Sequence, residues 1–116
     1  MTVYCFHYFV SILHSADNNK EHMHAHTIEI VTHIKSNKDE CEQFDDIEKY
    51  SKNYLARYEN VYLNDLEEFN GDASIENLAE VLYVKLDKLL LDNGYNLERL
   101  EMGETPLRTY IISRSL

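Results

Sequence analysis

The stretch HMHAHTIEIV, residues 22–31, sets histidines at alternate positions and then turns into alternating β-branched residues. In an extended strand, residues two positions apart point to the same side, about 6.5 to 7 Å from each other. His24 and His26 therefore converge on one face of a predicted strand over residues 24–34. Isoleucines continue that face (Ile28, Ile30 and Ile34). The sequence thus predicts two imidazoles at the start of a strand whose inner face is apolar.

The patterns on either side of this strand predict the other elements. Residues 2–12 alternate as a first strand, and a polar loop at 14–21 joins it to the second. After a loop at 36–40 the apolar period changes to three and four, which predicts a helix from Phe44 to Tyr58. A second helix is predicted at 74–92, with Asp72 or Ser74 as its N-cap and Gly94 just beyond its end.

The end of the chain completes the fold prediction. Residues 97–113, LERLEMGETPLRTYIIS, predict two strands broken at 103–106. The order β-β-α-α-β-β is typical of an α+β fold, with a four-stranded antiparallel sheet and two helices on one face. A sheet this small leaves its edges open, so we expect copies of the chain to assemble through them.

Composition excludes several function classes. A length of 116 residues predicts one domain, residues 1–116. The net charge of −10 argues against nucleic acid or an anionic membrane as partner, and no apolar run is long enough to span a bilayer. The N-terminus lacks the basic segment and cleavage site of a signal peptide. Cys5 and Cys41 make no disulfide framework, so we interpret the chain as a cytoplasmic protein with reduced thiols.

The alternating histidines favour a metal site. Neutral imidazoles at this spacing can share a zinc ion, and a catalytic zinc takes three protein ligands and keeps one position open. His14 is a candidate for the third ligand if the first two strands pair as a hairpin, and His22 competes because it continues the same alternation. The alternative is a solvated, pH-sensitive histidine patch.

Six short motifs resemble the 6-pyruvoyl-tetrahydropterin synthase family, which includes the 6-carboxy-tetrahydropterin synthases. The family's F-S-A-A-H, H-G-H, D-F-x-x-L, L-N-D, P-T-x-E-N-x-A and E-T correspond in order to VSILH (10–14), HAH (24–26), QFDDI (43–47), LND (63–65), ASIENLA (73–79) and ET (104–105). They extend over nearly the whole chain.

The resemblance implies the tunnelling fold, with trimers whose sheets close into a barrel and stack into hexamers. It implies a zinc ion bound by His14, His24 and His26, and 7,8-dihydroneopterin triphosphate as the substrate. It also implies that Glu104, followed by Thr105, anchors the pterin ring, since a carboxylate accepts two hydrogen bonds from neighbouring ring N–H groups.

The sequence departs from the family at the catalytic positions. Lys20 stands where the family has its catalytic cysteine, and Asn60 replaces the relay histidine. Glu59 keeps a carboxylate where the family has an aspartate. Glu21 is a second candidate base, because a branch of the family that cleaves the substrate side chain resembles this chain in carrying a glutamate near that place.

Three functions are compatible with these residues. The first is a zinc-dependent lyase acting on dihydroneopterin triphosphate or a close pterin, with Glu21 or Glu59 as general base. The second is a family member that binds zinc and a pterin-like ligand without the family's chemistry, which the missing cysteine and histidine favour. A metal-buffering protein without pterin is a third hypothesis.

Overall fold

The first two strands form a long antiparallel hairpin. The structure, a computed structural model, describes residues 3–36 and 44–114. β1 (Tyr4–His14) and β2 (His24–Ser36) pair without a register shift, from Tyr4 opposite Ile34 to His14 opposite His24. Each strand extends two residues beyond its predicted end. Ser36 therefore belongs to β2, while the remainder of the loop predicted at 36–40 lies outside the described residues, as do Cys41 and Gln43.

Two further strands complete the sheet. β3 (Tyr95–Thr105) pairs antiparallel with β2, and β4 (Arg108–Ser113) pairs with β3, giving the order β1-β2-β3-β4. The predicted interruption at 103–106 is narrower in the structure, because β3 continues to Thr105. Its pairing with β4 shifts register between Met102 and Thr105, which marks a bulge at Gly103 and Glu104.

Two helices cover one face of this sheet. α1 (Phe44–Leu55) and α2 (Ile75–Asp92) bury their apolar stripes against the inward-facing residues of the strands in one continuous core. The first helix was predicted to reach Tyr58, but it ends at Leu55 and a 3-10 turn, Ala56–Tyr58, follows. The α+β prediction of a four-stranded antiparallel sheet with two helices on one face is confirmed.

The predicted signals at the ends of α2 are also present. The Ser74 hydroxyl accepts a hydrogen bond from the Asn77 backbone N–H at 3.2 Å, as an N-cap does. Gly94 follows the C-terminal end with φ of 89°, a conformation that glycine adopts without a steric penalty. These two ends fix where α2 meets the sheet, and its N-terminal end lies beside the histidines.

An irregular segment, residues 56–74, connects the helices and lines the last part of β1. It contains 3-10 turns at Ala56–Tyr58, Leu63–Asp65 and Glu67–Phe69. The Leu13 N–H donates to the Val61 carbonyl at 3.1 Å, and the Asn60 N–H donates to the Ser11 carbonyl at 2.7 Å. The end of β1 is therefore hydrogen-bonded to this segment along one edge and to β2 along the other. Within the described ranges, no helix has the length and apolarity needed to cross a membrane.

Candidate metal and ligand site

Three histidines converge at the open end of the β1–β2 hairpin. His14 lies directly opposite His24 in the strand register, and His26 lies opposite Ile12. Their ring centroids are 4.6 Å (His14–His24), 5.1 Å (His14–His26) and 4.7 Å (His24–His26) apart. One ligand atom from each ring lies within 4.8 Å of the others. The hairpin register therefore produces the convergence that the spacing predicted.

The orientation of His14 fits a metal ligand. Its ring is buried, and Nδ1 lies 2.7 Å from the Ala73 carbonyl oxygen, so Nδ1–H donates this hydrogen bond. Nε2 is buried and has no hydrogen-bond partner among the described residues. A carbonyl acceptor on one ring nitrogen fixes the tautomer and leaves the other lone pair for a metal. A buried, unpartnered nitrogen that faces two other imidazoles is what a zinc site requires.

His22 is not part of this cluster. Its ring pairs with the carboxylate of Asp17, which lowers the pKa of Asp17 through the hydrogen bond from His22. The His22 backbone carbonyl lies 3.3 Å from Nδ1 of His24 and can orient that ring. In the described part of the chain, the group that could hold a metal is His14, His24 and His26, which are the three predicted ligands.

Two asparagines hold the backbone around the site. The Asn64 side chain accepts from the Ser15 N–H at 3.0 Å and donates to the Ser15 carbonyl at 2.9 Å, fixing the residue after His14. The Asn77 amide donates to the carbonyls of Asp72 at 2.6 Å and Phe69 at 3.2 Å, and so fixes the segment that carries the Ala73 carbonyl. Both asparagines belong to the motifs LND and ASIENLA.

Glu104 lies beside the histidines. Its carboxylate oxygens are 4.0 Å from Nε2 of His14 and 3.6 Å from Nδ1 of His26. The bulge in β3 gives Glu104 this position, and Gly103 permits the bulge, since a Cβ at Gly103 would lie 2.6 Å from the Arg108 carbonyl oxygen. The Thr105 hydroxyl accepts from the Leu107 N–H at 3.3 Å and stabilises the turn that follows.

A cavity of about 460 Å³ adjoins the histidines. The three ligands, Glu104 and Thr105 all border it, so five predicted site residues lie together. Its other walls come from the N-terminal end of α2 and from β4, and they include Ser74, Glu76, Arg108 and Tyr110. The sequence analysis did not predict that β4 lines this cavity. The strand follows the E-T motif directly, and a hairpin there would have predicted that its residues return to the same cavity.

The two candidate bases lie away from this cavity. Glu21 is exposed in a 3-10 turn, Lys20–His22, while Lys20 is 3.5 Å from the Asp65 carboxylate. The Glu59 carboxylate accepts a hydrogen bond from the Ser11 backbone N–H at 3.2 Å and borders a second cavity beside β1. Within one chain, then, neither residue borders the cavity at the histidines. Their catalytic role stays a prediction.

Comparisons with known proteins concern the family and the fold of the chain. A family model described as 6-pyruvoyl tetrahydropterin synthase matches residues 6–115. No curated protein matches the chain. The structure of Caenorhabditis elegans 6-pyruvoyl tetrahydropterin synthase superposes with a TM-score of 0.72 at 18% identity, covering 99% of this chain and 98% of that one. An uncharacterised protein from Wolinella succinogenes gives 0.67 at 10% identity, covering 99% and 100%.

These two structures share the fold of the chain, which is the tunnelling fold predicted from the motifs. The family model extends over almost the whole chain. The chain therefore belongs to the 6-pyruvoyl tetrahydropterin synthase family.

Proposed function

We propose that this protein is a zinc-dependent pterin lyase that acts on 7,8-dihydroneopterin triphosphate or a close pterin. The observation that carries the proposal is the buried Nε2 of His14, which has no hydrogen-bond partner among the described residues and lies near two further imidazoles at the wall of a cavity. Zinc bound there would polarise the oxygens of the substrate side chain and stabilise negative charge that develops on them. The proposal applies to residues 1–116 as one domain.

The chain's own residues supply the ring-binding function in this proposal. The Glu104 carboxylate is within 4.0 Å of His14 and borders the same cavity, so a pterin whose ring binds Glu104 has its side chain near the histidines. A carboxylate can accept two hydrogen bonds from adjacent ring N–H groups, and such charge-assisted bonds are strong. Thr105 lies next to Glu104 at the cavity wall and completes this end of the proposed pterin site.

The general base depends on assembly in this proposal. A base must come within about 3 Å of the proton that it removes. Glu59 lies beside β1, one edge of the sheet, and the cavity borders β4, the other edge. A second copy that paired its β4 with this β1 would therefore bring its own cavity towards Glu59. We therefore propose a homo-oligomer, a trimer or hexamer with closed sheets, in which Glu59 or Glu21 acts on substrate.

The net charge of −10 supports a protein without nucleic acid or anionic-membrane partners. We propose that this protein is cytoplasmic.

A second candidate function is binding without the family's chemistry. The observation that favours it is that neither Glu21 nor Glu59 borders the cavity of its own chain. Lys20 and Asn60 stand where the family has its cysteine and relay histidine. Such a protein would hold zinc and a pterin-like ligand in the same site and release the ligand unchanged.

Zinc content and turnover, measured on the same samples, distinguish these functions. We expect about one zinc per chain in the wild type, far less in His24→Ala, and no loss in the control His33→Ala, whose ring pairs with Glu101 at 2.6 Å on the opposite face. Turnover of dihydroneopterin triphosphate that falls in Glu21→Gln or Glu59→Gln supports the lyase. Zinc and pterin binding without turnover supports the second function. A wild type that takes up no zinc would contradict both.

A further inference from the structure

The carboxylate of Glu104 lies close to nitrogens of two of the three histidines. Oε1 is 4.0 Å from Nε2 of His14, and Oε2 is 3.6 Å from Nδ1 of His26. Nε2 of His14 is the nitrogen that the hydrogen bond to the Ala73 carbonyl leaves for a metal. A carboxylate oxygen is itself a ligand for zinc, at nearly the same distance from the ion as an imidazole nitrogen. Glu104 is therefore within reach of the fourth position at this site.

The distances are closer to those within a tetrahedral metal site than to a hydrogen bond. Two ligand atoms that are each about 2.0 Å from one tetrahedral zinc lie about 3.3 Å from each other. An N–H···O hydrogen bond is shorter, at about 2.9 Å. The distances of 3.6 and 4.0 Å are somewhat longer than the tetrahedral value, and the Glu104 side chain is 30% exposed. A small rotation of this side chain would bring its carboxylate to the metal.

The bulge in β3 directs Glu104 to the histidines. Between two successive pairs of the β3–β4 hairpin, β3 has two residues where β4 has one, and these pairs are Met102–Tyr110 and Thr105–Arg108. A bulge of this kind redirects a side chain relative to the regular pleat. The redirection arises from pairing within one chain, so it is present before a second copy packs at the outer edge of β4.

The proposed function gives the same carboxylate a second role, which excludes the first. In that role Glu104 accepts hydrogen bonds from the ring N–H groups of the pterin, while the pterin side chain lies at the metal. The bicyclic ring separates these two ends of the ligand. A carboxylate that holds the far edge of the ring cannot remain on the metal, so the two roles belong to two states of the protein.

We propose that Glu104 is the fourth ligand of the metal in the ligand-free protein and leaves the metal when its carboxylate binds a pterin ring. The carboxylate then closes the position at which a small anion would otherwise bind, and the ring opens that position for the side chain of the same ligand. The first half of this inference rests on Glu104 and the three histidines. The second half rests on the proposed pterin site.

Azide binding to the cobalt-loaded full chain tests the first half. Cobalt(II) accepts the nitrogen and oxygen ligands of zinc, and its visible absorption changes when a ligand is exchanged. Without pterin, we expect azide to bind at least about tenfold more tightly to Glu104→Gln than to the wild type. The reason is that apparent affinity falls in proportion to the fraction of molecules in which the position is open.

Glu76→Gln is the matched control for charge. Glu76 borders the same cavity, so its substitution removes the same charge from the same wall, but among the described residues it forms no ion pair with a histidine. At physiological salt we expect its azide affinity to stay within about threefold of the wild type, because charges that are not in contact are screened.

A pterin without side-chain oxygens tests the second half. The probe 6-methyl-7,8-dihydropterin has the ring and its N–H edge but no side-chain oxygen for the metal. Saturating the wild type with this compound should raise the azide affinity about tenfold, because the ring draws Glu104 away and the two ligands become coupled. In Glu104→Gln the compound should leave the azide affinity within about twofold, since the position is already open.

Four results would overturn all or part of the inference. Equal azide affinities in the wild type and Glu104→Gln would show that Glu104 is only an outer contact of His26. Equal gains in Glu104→Gln and Glu76→Gln would assign the effect to charge. An azide affinity that 6-methyl-7,8-dihydropterin does not raise in the wild type would overturn the exchange and leave the metal ligand standing. A wild type that takes up no cobalt would contradict the metal site and both halves together.

The proposed pterin function fails separately from the metal ligand. A wild type that binds neither 6-methyl-7,8-dihydropterin nor 7,8-dihydroneopterin would remove the pterin function and the exchange with it. The difference in azide affinity between the wild type and Glu104→Gln would still support Glu104 as the fourth ligand, because it is measured without pterin.

Discussion

The His14 imidazole is oriented by a carbonyl that lies 59 residues further along the chain. The bond from Nδ1 to Ala73 leaves Nε2 free, and the Asn77 amide holds the Asp72 carbonyl immediately before Ala73. At this scale the convergence of the three histidines was predictable, because alternate residues of a strand share a face and hairpin pairing sets His14 opposite His24. The carbonyl that selects the tautomer of His14 was not, because backbone carbonyls carry no sequence signal and this contact depends on how α2 packs.

A change at Asn77 tests this chain of contacts. Asn77→Ala removes both hydrogen bonds to the preceding segment, so the Ala73 carbonyl becomes less fixed. Outer contacts of metal ligands affect metal affinity by about ten- to a hundredfold, and we expect a zinc Kd about tenfold weaker than that of the wild type. Competition with a chromophoric chelator measures it. Asn93→Ala is the control, since its amide also binds a carbonyl, that of Leu89, at the other end of α2. Equal losses in both variants would argue against the mechanism.

At the scale of elements, one ion pair ties the end of α1 to the connection that follows. The Arg57 guanidinium donates two hydrogen bonds to Glu68, at 2.7 and 2.8 Å, and the Tyr58 hydroxyl donates a third at 3.1 Å. The apolar period predicted one helix through Tyr58, because a 3-10 turn continues nearly the same spacing. The helix ends earlier because Arg57 and Tyr58 turn towards Glu68, a contact outside the reach of local patterns.

The Arg57–Glu68 pair predicts a pH dependence of stability. The hydrogen bond from Arg57 lowers the pKa of Glu68 from 4.5 to about 2. The stabilisation is therefore complete above pH 4.5 and is lost as the pH falls towards 2. We expect Glu68→Gln to lower the free energy of unfolding by about 1 to 2 kcal/mol at pH 7, given that Arg57 is half exposed. The difference should shrink below pH 4.5.

Urea denaturation of both proteins across this pH range measures the difference. Glu67→Gln is the matched control, because Glu67 is the exposed neighbour of Glu68 and is not among the ion-paired carboxylates of the described residues. A difference that stays constant from pH 7 to pH 2 would show that ionisation of Glu68 is not its source.

At the scale of the whole molecule, none of the described residues forms a covering layer on one face of the sheet. Phe9, on the face opposite the helices, is 68% exposed. A four-stranded sheet was expected to have open edges, which are β1 and β4. The sequence did not show that residues 59–61 cover part of the β1 edge. They bind the outward N–H groups of Ser11 and Leu13. By the same alternation the N–H groups of His7 and Phe9 point outward as well.

Assembly can be tested at that remaining part of the β1 edge. We expect sedimentation equilibrium to give three or six times the chain mass of 13.7 kDa for the wild type. His7→Pro removes an outward N–H without removing a bond to β2, so it should raise the dissociation constant of the oligomer at least tenfold. His7→Ala controls for the side chain, which contacts Glu29 at 3.3 Å. An oligomer equally stable in both variants would place the contact elsewhere.

The bond between His14 and Ala73 also has a kinetic meaning. The His14–His24 contact closes a hairpin, which forms in microseconds, whereas the Ala73 carbonyl arrives only when α2 docks on the sheet. Long-range contacts of this kind form late, because a large loop must close before they stabilise anything. The rate at which a refolding chain acquires tight metal binding should therefore report the rate at which α2 docks on the sheet. A chain in which only the hairpin has formed should not yet bind the metal tightly.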